Sequence, residues 1–138
     1  MRTRVYNNKE QIFCEFRHRW VRLTPEEWVR QHLLHRLVTE LGYPASLVAV
    51  EKAVVVGEAK KRFDAVVYTT SMQPLVLIEC KADDVALTQK TLDQAITYNR
   101  KLHVPYIFLS NGAQTIWIHG TDTYTTGLPR YADLLWCE

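Results

Sequence analysis

Residues 75–84 read Leu75-Val76-Leu77-Ile78-Glu79-Cys80-Lys81-Ala82-Asp83-Asp84. Five apolar residues between Leu75 and Cys80, interrupted only by Glu79, suit a strand buried on both faces of a sheet. A carboxylate and an ammonium arrive where that run ends. Side chains two apart on a strand share a face, so Glu79 and Lys81 project side by side from one edge of a hydrophobic sheet. Two charges there are costly unless something pairs them. An ordinary ion pair is one answer, and a metal-dependent catalytic site is the other.

The residues upstream bear on that choice. Leu47 to Val56 is rich in Val and reads as a strand ending at Gly57. Lys60-Lys61-Arg62 reads as a basic turn, followed by a second strand from Arg62 to Tyr68. Alternation places Asp64, Val66 and Tyr68 on one face and Phe63, Ala65 and Val67 on the other. Thr69 to Pro74 is a polar turn. Centring it on Ser71-Met72 puts Asp64 directly opposite Glu79, with Cβ atoms roughly 5 Å apart. Two carboxylates that close repel unless one is protonated or a cation lies between them. Lys81 supplies one positive charge and a divalent ion would supply two. Mg²⁺ prefers oxygen ligands and takes one or two carboxylates with water and phosphate oxygens.

A helix start precedes these strands. Thr24 suits the N-cap, Pro25 the first helical position, and Glu27 completes a capping box. The helix is expected to run to Leu41, stopping at Gly42 with Pro44 beyond. Its apolar stripe is Val29, Leu33, Leu34, Leu37, Val38 and Leu41. At about 3.6 residues per turn, Glu26 and Arg30 fall on that stripe and Glu27 nearer its border. A helix-supporting ion pair of Glu26 with Arg30 is the plain explanation.

Downstream, Ala82 to Ala86 reads as a loop with Asp83 and Asp84 in solvent. Thr88 to Leu102 reads as a helix whose sheet-facing side is Leu92, Ala95, Ile96, Asn99 and Leu102. Gln94 and Tyr98 share another face. Pro105 to Ser110 and Gln114 to His119 are two further strands around an Asn111-Gly112 turn. Tyr131 to Trp136 reads as a short helix. At the other end, Met1 to Lys9 is polar, and residues 1–11 are expected to be a flexible tail before one domain over 12–138. Ile12 to Val21 alternates loosely as a half-exposed strand or hairpin arm. The basic residues Arg17, His18, Arg19 and Arg22 read as a solvated face, with a DNA contact as the alternative.

With 138 residues, 47% of them hydrophobic and 23% charged, the chain is one globular domain and not a disordered one. A net charge of +2 permits a nucleic-acid partner without demanding one. Cys14, Cys80 and Cys137 are odd in number and lack metal-ligand spacing, which suits reduced thiols in a cytoplasmic protein. No signal peptide or membrane-length apolar stretch is read, so no membrane partner is expected. No Gly-rich turn follows a strand, which leaves out a dinucleotide-binding domain, and there is no P-loop.

Helix, three-strand meander, helix, strand, strand, with Asp64 and a Glu-x-Lys at one sheet edge, resembles the core of the PD-(D/E)XK nuclease superfamily. The fold this implies is α/β, a restriction-endonuclease-like αβββαβ core with a central mixed sheet of four to five strands flanked by helices. The segments "LTPEEWVRQHLLHRLVTELGYP", "KRFDAVVY", "LVLIECKA", "DQAITYN" and "SNG" are similar to the N-terminal nuclease domain of type I restriction enzyme R subunits, and to small stand-alone bacterial proteins built from it. The resemblance runs from Ile12 to His119. Residue 63 departs from it, being Phe where the superfamily name implies Pro.

The resemblance implies a metal-dependent DNA endonuclease. Asp64, Glu79 and the backbone carbonyl of Cys80 would hold Mg²⁺ or Mn²⁺, and Lys81 would orient the attacking water. Glu26 would be the helical acidic residue, and Gln94 and Tyr98 the Gln-x-x-x-Tyr pair. DNA is the implied partner, with Lys60, Lys61, Arg62 and Arg30 near its phosphates, alongside other restriction or repair subunits. A homodimer is left open. The rival reading is a non-catalytic module of the same fold, kept for DNA binding or subunit docking.

Overall fold

The computed structural model describes residues 1–135. Asn7 and Asn8, with φ of 50° and 62°, close a hairpin between β1 (Thr3–Tyr6) and β2 (Lys9–Cys14). Positive φ at both central residues suits the twist of paired strands, and Asn tolerates it. The stretch expected as a flexible tail over residues 1–11 is therefore strand. Every residue of β1 is exposed, so no apolar alternation betrays it in the sequence. β3 (Arg19–Arg22) completes a three-stranded antiparallel sheet. One face of that sheet buries Ile12 and Cys14.

Helix α1 (Pro25–Thr39) starts as its sequence requires: the Glu27 N–H donates to the Thr24 hydroxyl at 3.1 Å. It ends at Thr39, just short of Leu41. Gly42, at φ 76°, then reverses the chain, and the Tyr43 N–H donates to the Leu37 carbonyl at 3.0 Å. A left-handed backbone there is what favours glycine.

The central sheet has six strands in the order β4 (Val48–Val56), β5 (Ala59–Tyr68), β6 (Pro74–Cys80), β7 (Tyr106–Ser110), β8 (Thr115–His119) and β9 (Asp122–Tyr124). Only β6 and β7 pair in parallel. Parallel neighbours need a crossover, and α2 (Gln89–Leu102) supplies it. β9 goes beyond the expected four to five strands. It lies in a Thr-rich stretch whose residues are all exposed. α3 (Tyr131–Leu134) covers part of the expected terminal helix, and Trp136 lies outside the described residues.

Two layers clothe the sheet. Val29, Leu33, Leu34 and Leu37 of α1 pack with Ala65, Val76, Ile78 and Phe108 on one face. Ala95 and Leu102 of α2 pack with Val66, Leu77, Ile107 and Leu109 on the other. β6 is thus buried on both sides, as its apolar run demanded.

β5 departs from expectation twice. Lys60, Lys61 and Arg62 are not a turn but the start of the strand, and Gly57 at φ 58° makes the turn instead. Lys60 and Arg62 reach solvent from the extended backbone, so three cations in a row need no loop. The alternation also breaks at Asp64. Phe63 packs with Val66 and Leu77, not with Ala65 and Val67. The β4–β5 ladder lacks the rung between Glu51 and Asp64, and Glu51 has φ 54°. A left-handed residue kinks β4 there and lets β5 roll over.

Candidate active site

The antiparallel register of β5 against β6 pairs Ala65 with Ile78 and Val66 with Leu77. The paired rungs stop at Ala65 and Ile78, one residue short of Asp64 and Glu79. Asp64 Oδ2 accepts the Cys80 N–H at 2.6 Å, tying the two strands where β6 ends. A cleft of about 340 Å³ opens here, lined among others by Glu26, Glu51, Lys61, Asp64, Glu79 and Lys81. A larger hollow of about 430 Å³ lies between Arg2 and Phe13 at the N-terminal sheet and Gln31, His35 and Val38 of α1. It brings no opposed carboxylates together, so its size does not make it the site of chemistry.

Each charge in the cleft has a distinct environment. Glu79 Oε1 accepts from Lys61 Nζ at 2.5 Å. That ammonium also sits 4.8 Å from the Phe63 ring centroid and 4.7 Å from that of Tyr98, within cation–π reach of both. Tyr98 therefore joins the site through Lys61. Gln94, on the same helix, is exposed and makes no hydrogen bond to the described residues. The Lys81 ammonium lines the cleft without an ion partner among the described residues. Burial pushes the Asp64 carboxyl up; the Cys80 N–H and Arg30 pull it down, and Glu79 and Glu26 raise it again, leaving it above the ordinary carboxylate value.

Beneath the cleft runs a buried ion network. Glu27, for which the sequence offers a capping role, instead turns inward and accepts from Arg17 Nη2 at 2.7 Å, from Gln31 Nε2 at 2.7 Å, and from Arg30. Only its backbone serves Thr24. Burial pushes the Glu27 carboxyl up, but the hydrogen bonds from Arg30, Arg17 and Gln31 outweigh it and hold the group at about 2. Arg30 reaches onward, with Nη1 3.6 Å from Asp64 Oδ1 and Nη2 3.6 Å from Glu51 Oε1.

Three residues thus differ from their expected places. Arg30 is 8% exposed and surrounded by Glu27, Glu51 and Asp64, so it braces the site and is not free for DNA. Glu26 leaves the apolar stripe and is exposed, though it still lines the rim of the cleft. Glu27 takes the buried position. Lys60 and Arg62 remain exposed beside the cleft.

Arg17 and Glu51 belong to the network: Arg17, expected on a solvated face, is instead held against buried Glu27, and Glu51 was not singled out in the sequence. A lone carboxylate within the Val-rich β4 was the available signal for Glu51. Nothing local marks Arg17, which the β2–β3 turn carries to Glu27 and to Glu51 at 3.5 Å. Cys14 and Cys80 are free and buried. Among the described residues, no three His, Cys, Asp or Glu side chains converge to hold a metal by themselves.

Comparison with known proteins places the chain. No curated protein matches it. Among solved structures it resembles a fragment of a protein described as the HsdR subunit of a type I restriction enzyme from Vibrio vulnificus YJ016. That likeness has a TM-score of 0.62 at 17% identity, over 83% of this chain and 25% of that one. The chain thus spans about a quarter of that relative's length. It also resembles a DUF820 protein from Anabaena variabilis ATCC 29413 described as a nuclease, with a TM-score of 0.56 at 11% identity, over 92% of this chain and 86% of that one. At such identities these likenesses speak to the fold. The family described as the type I restriction enzyme R protein N terminus (HSDR_N) matches residues 25–129, from the first residue of α1 to past β9, and the chain belongs to that family.

Proposed function

We propose that the chain is a metal-dependent DNA endonuclease of the PD-(D/E)XK kind, hydrolysing phosphodiester bonds in restriction or DNA repair. One observation carries the reading: Asp64 of β5 and Glu79 of β6, on neighbouring strands, line one cleft that also holds Lys81.

The donor set fits Mg²⁺ or Mn²⁺. Both carboxylates offer hard oxygens, and Asp64 Oδ1 and Glu79 Oε2 take no hydrogen bond from the described residues. Burial is the main cause of the raised Asp64 carboxyl, with smaller contributions from Glu79 and Glu26. Asp64, Glu79 and the Cys80 carbonyl would be the holding residues. A bound divalent ion lowers the pKa of water and neutralises charge on the phosphate under attack. Lys81 is the cation left to orient water and steady the developing negative charge. Glu26, at the rim, can take a water proton. Lys60 and Arg62 can hold phosphates without reading sequence, and Tyr98 keeps Lys61 beside Glu79.

The test is incubation of the purified protein with linear, supercoiled and single-stranded DNA, with Mg²⁺, with Mn²⁺ and with EDTA. Metal-dependent products that vanish in Asp64→Asn and Glu79→Gln are the expected result. A second reading, the non-catalytic module, is favoured by one observation: Lys61 and Arg30 already compensate Glu79 and Asp64 from within. DNA binding without cleavage under any metal would select it.

A further inference from the structure

The N-terminal sheet lies outside the family match and has one face turned away from the core. Opposed residues of antiparallel strands share a face. The register therefore gathers Arg4, Gln11 and Arg22 in one row and Tyr6 with Lys9 in another, on the face that carries Phe13 and Trp20. Arg2 joins them, its guanidinium 4.0 Å from the Phe13 centroid. Arg4 lies 4.3 Å from the Trp20 centroid and 4.8 Å from that of Tyr6. Ile12 and Cys14 point the other way and are fully buried.

This face thus carries four cations and three aromatic rings, and no carboxylate belongs to its rows. Glu10 pairs with Val5 on the opposite face, and Glu15 touches Arg2 only as an exposed pair at 3.9 Å. Arg4 Nε donates to Gln11 Oε1 at 2.7 Å, which fixes that guanidinium over its rings with its terminal N–H groups left to donate. A flat positive sheet with pre-positioned arginines matches a row of phosphates. Because the arginines already cover the rings, base stacking is the lesser part.

We propose that this outer face, through Arg2, Arg4, Lys9 and Arg22, binds the phosphate backbone of duplex DNA without regard to sequence. The inference rests on DNA being the ligand of the cleft. The Arg17 tie to Glu27 and Glu51 fastens the sheet to the floor of that cleft.

The experiment is titration of a labelled duplex by fluorescence anisotropy in EDTA, at several salt concentrations, using the full chain. Lys9→Gln/Arg22→Gln is the first variant, since neither side chain is tied into the core and the fold is not at risk. Arg2→Gln/Arg4→Gln is the second. Arg36→Gln/Arg100→Gln, exposed residues near the C-terminal ends of α1 and α2, is the control for net charge. Each variant of the face should weaken binding about tenfold or more at moderate salt. Each should also flatten the log–log salt dependence by about 0.9 for every phosphate that the variant no longer neutralises, while the control does neither. Metal-dependent cleavage by the wild type, with binding equal in wild type and face variants, would overturn this inference and leave the nuclease reading intact. No DNA binding by any form would overturn both and leave the face to an acidic protein surface.

Discussion

Glu27 and Asp64 lie at two ends of one arginine and answer to pH in opposite senses. Glu27 is held at about 2 against an ordinary 4.5. A carboxylate depressed by folding contributes stability at pH above its unfolded value and loses it as pH falls toward its folded one. That loss, between about pH 4.5 and 2, is on the order of 3 kcal/mol. Asp64 runs the other way. Its folded pKa is raised, so the folded state holds a proton the unfolded chain has released, and stability falls as pH rises through that window. Glu27→Gln takes from the buried Arg17 and Arg30 guanidiniums their nearest counter-charge, leaving only the longer contacts to Glu51 and Asp64, which costs about 3 kcal/mol at neutral pH. Urea denaturation at pH 7, 5 and 3 checks both points: the variant should be far less stable at pH 7 and should lose little more on acidification. An acid loss equal to that of the wild type would assign the pH dependence to other groups.

At the scale of elements, α1 positions the acidic pair and Thr24 positions α1. Thr24→Ala removes the acceptor for the Glu27 N–H and should cost about 1 kcal/mol, read as a lower urea midpoint at unchanged slope. The same helix shows what could be read in advance. Thr24-Pro25 and the Leu33–Leu37 stripe are local signals, and the helix follows them. The fate of Glu27 is not local. A capping box offers its side chain one exposed partner, whereas Arg17, Arg30 and Gln31 offer three buried ones, and tertiary packing wins. β6 was legible because an apolar run bounded by turn residues has few alternatives, and the register of Ala65 to Val67 against Val76 to Ile78 because hairpin arithmetic follows from turn length. β1 was not, since an all-exposed strand has no apolar period. The face of Phe63 was not either, because the kink at Glu51 interrupts an alternation that pattern reasoning extends unbroken. Residues 60–62 misled for a related reason: consecutive cations suggest a turn only where a strand cannot expose alternate side chains.

For the molecule as a whole, the proposed metal site would link metal binding to the fold through the hairpin that carries both carboxylates. A divalent ion that binds the folded cleft and not the unfolded chain stabilises by mass action, about 1.4 kcal/mol at tenfold its dissociation constant. In a domain of 138 residues that should raise the melting temperature by roughly 5 °C. Glu79→Gln should lose most of this rise, because an amide is a poor ligand and Asp64 alone remains. Lys61→Met separates two effects. It leaves Glu79 without the partner now 2.5 Å away, so the metal-free protein should melt lower. It also removes the cation that a metal must displace, so the rise on adding Mn²⁺ should exceed that of the wild type. Lys81→Ala should keep the wild-type rise and lose cleavage, since Lys81 pairs with neither carboxylate and acts on water and phosphate. Melting curves of the four proteins with EDTA, Mg²⁺ and Mn²⁺, beside the cleavage assay, distinguish these outcomes. Equal metal responses in wild type, Glu79→Gln and Lys61→Met would remove the cleft as the metal site. Cleavage retained by Lys81→Ala would return the orienting role to Glu26 or to Lys61, whose ammonium already stands between Glu79 and the Tyr98 ring.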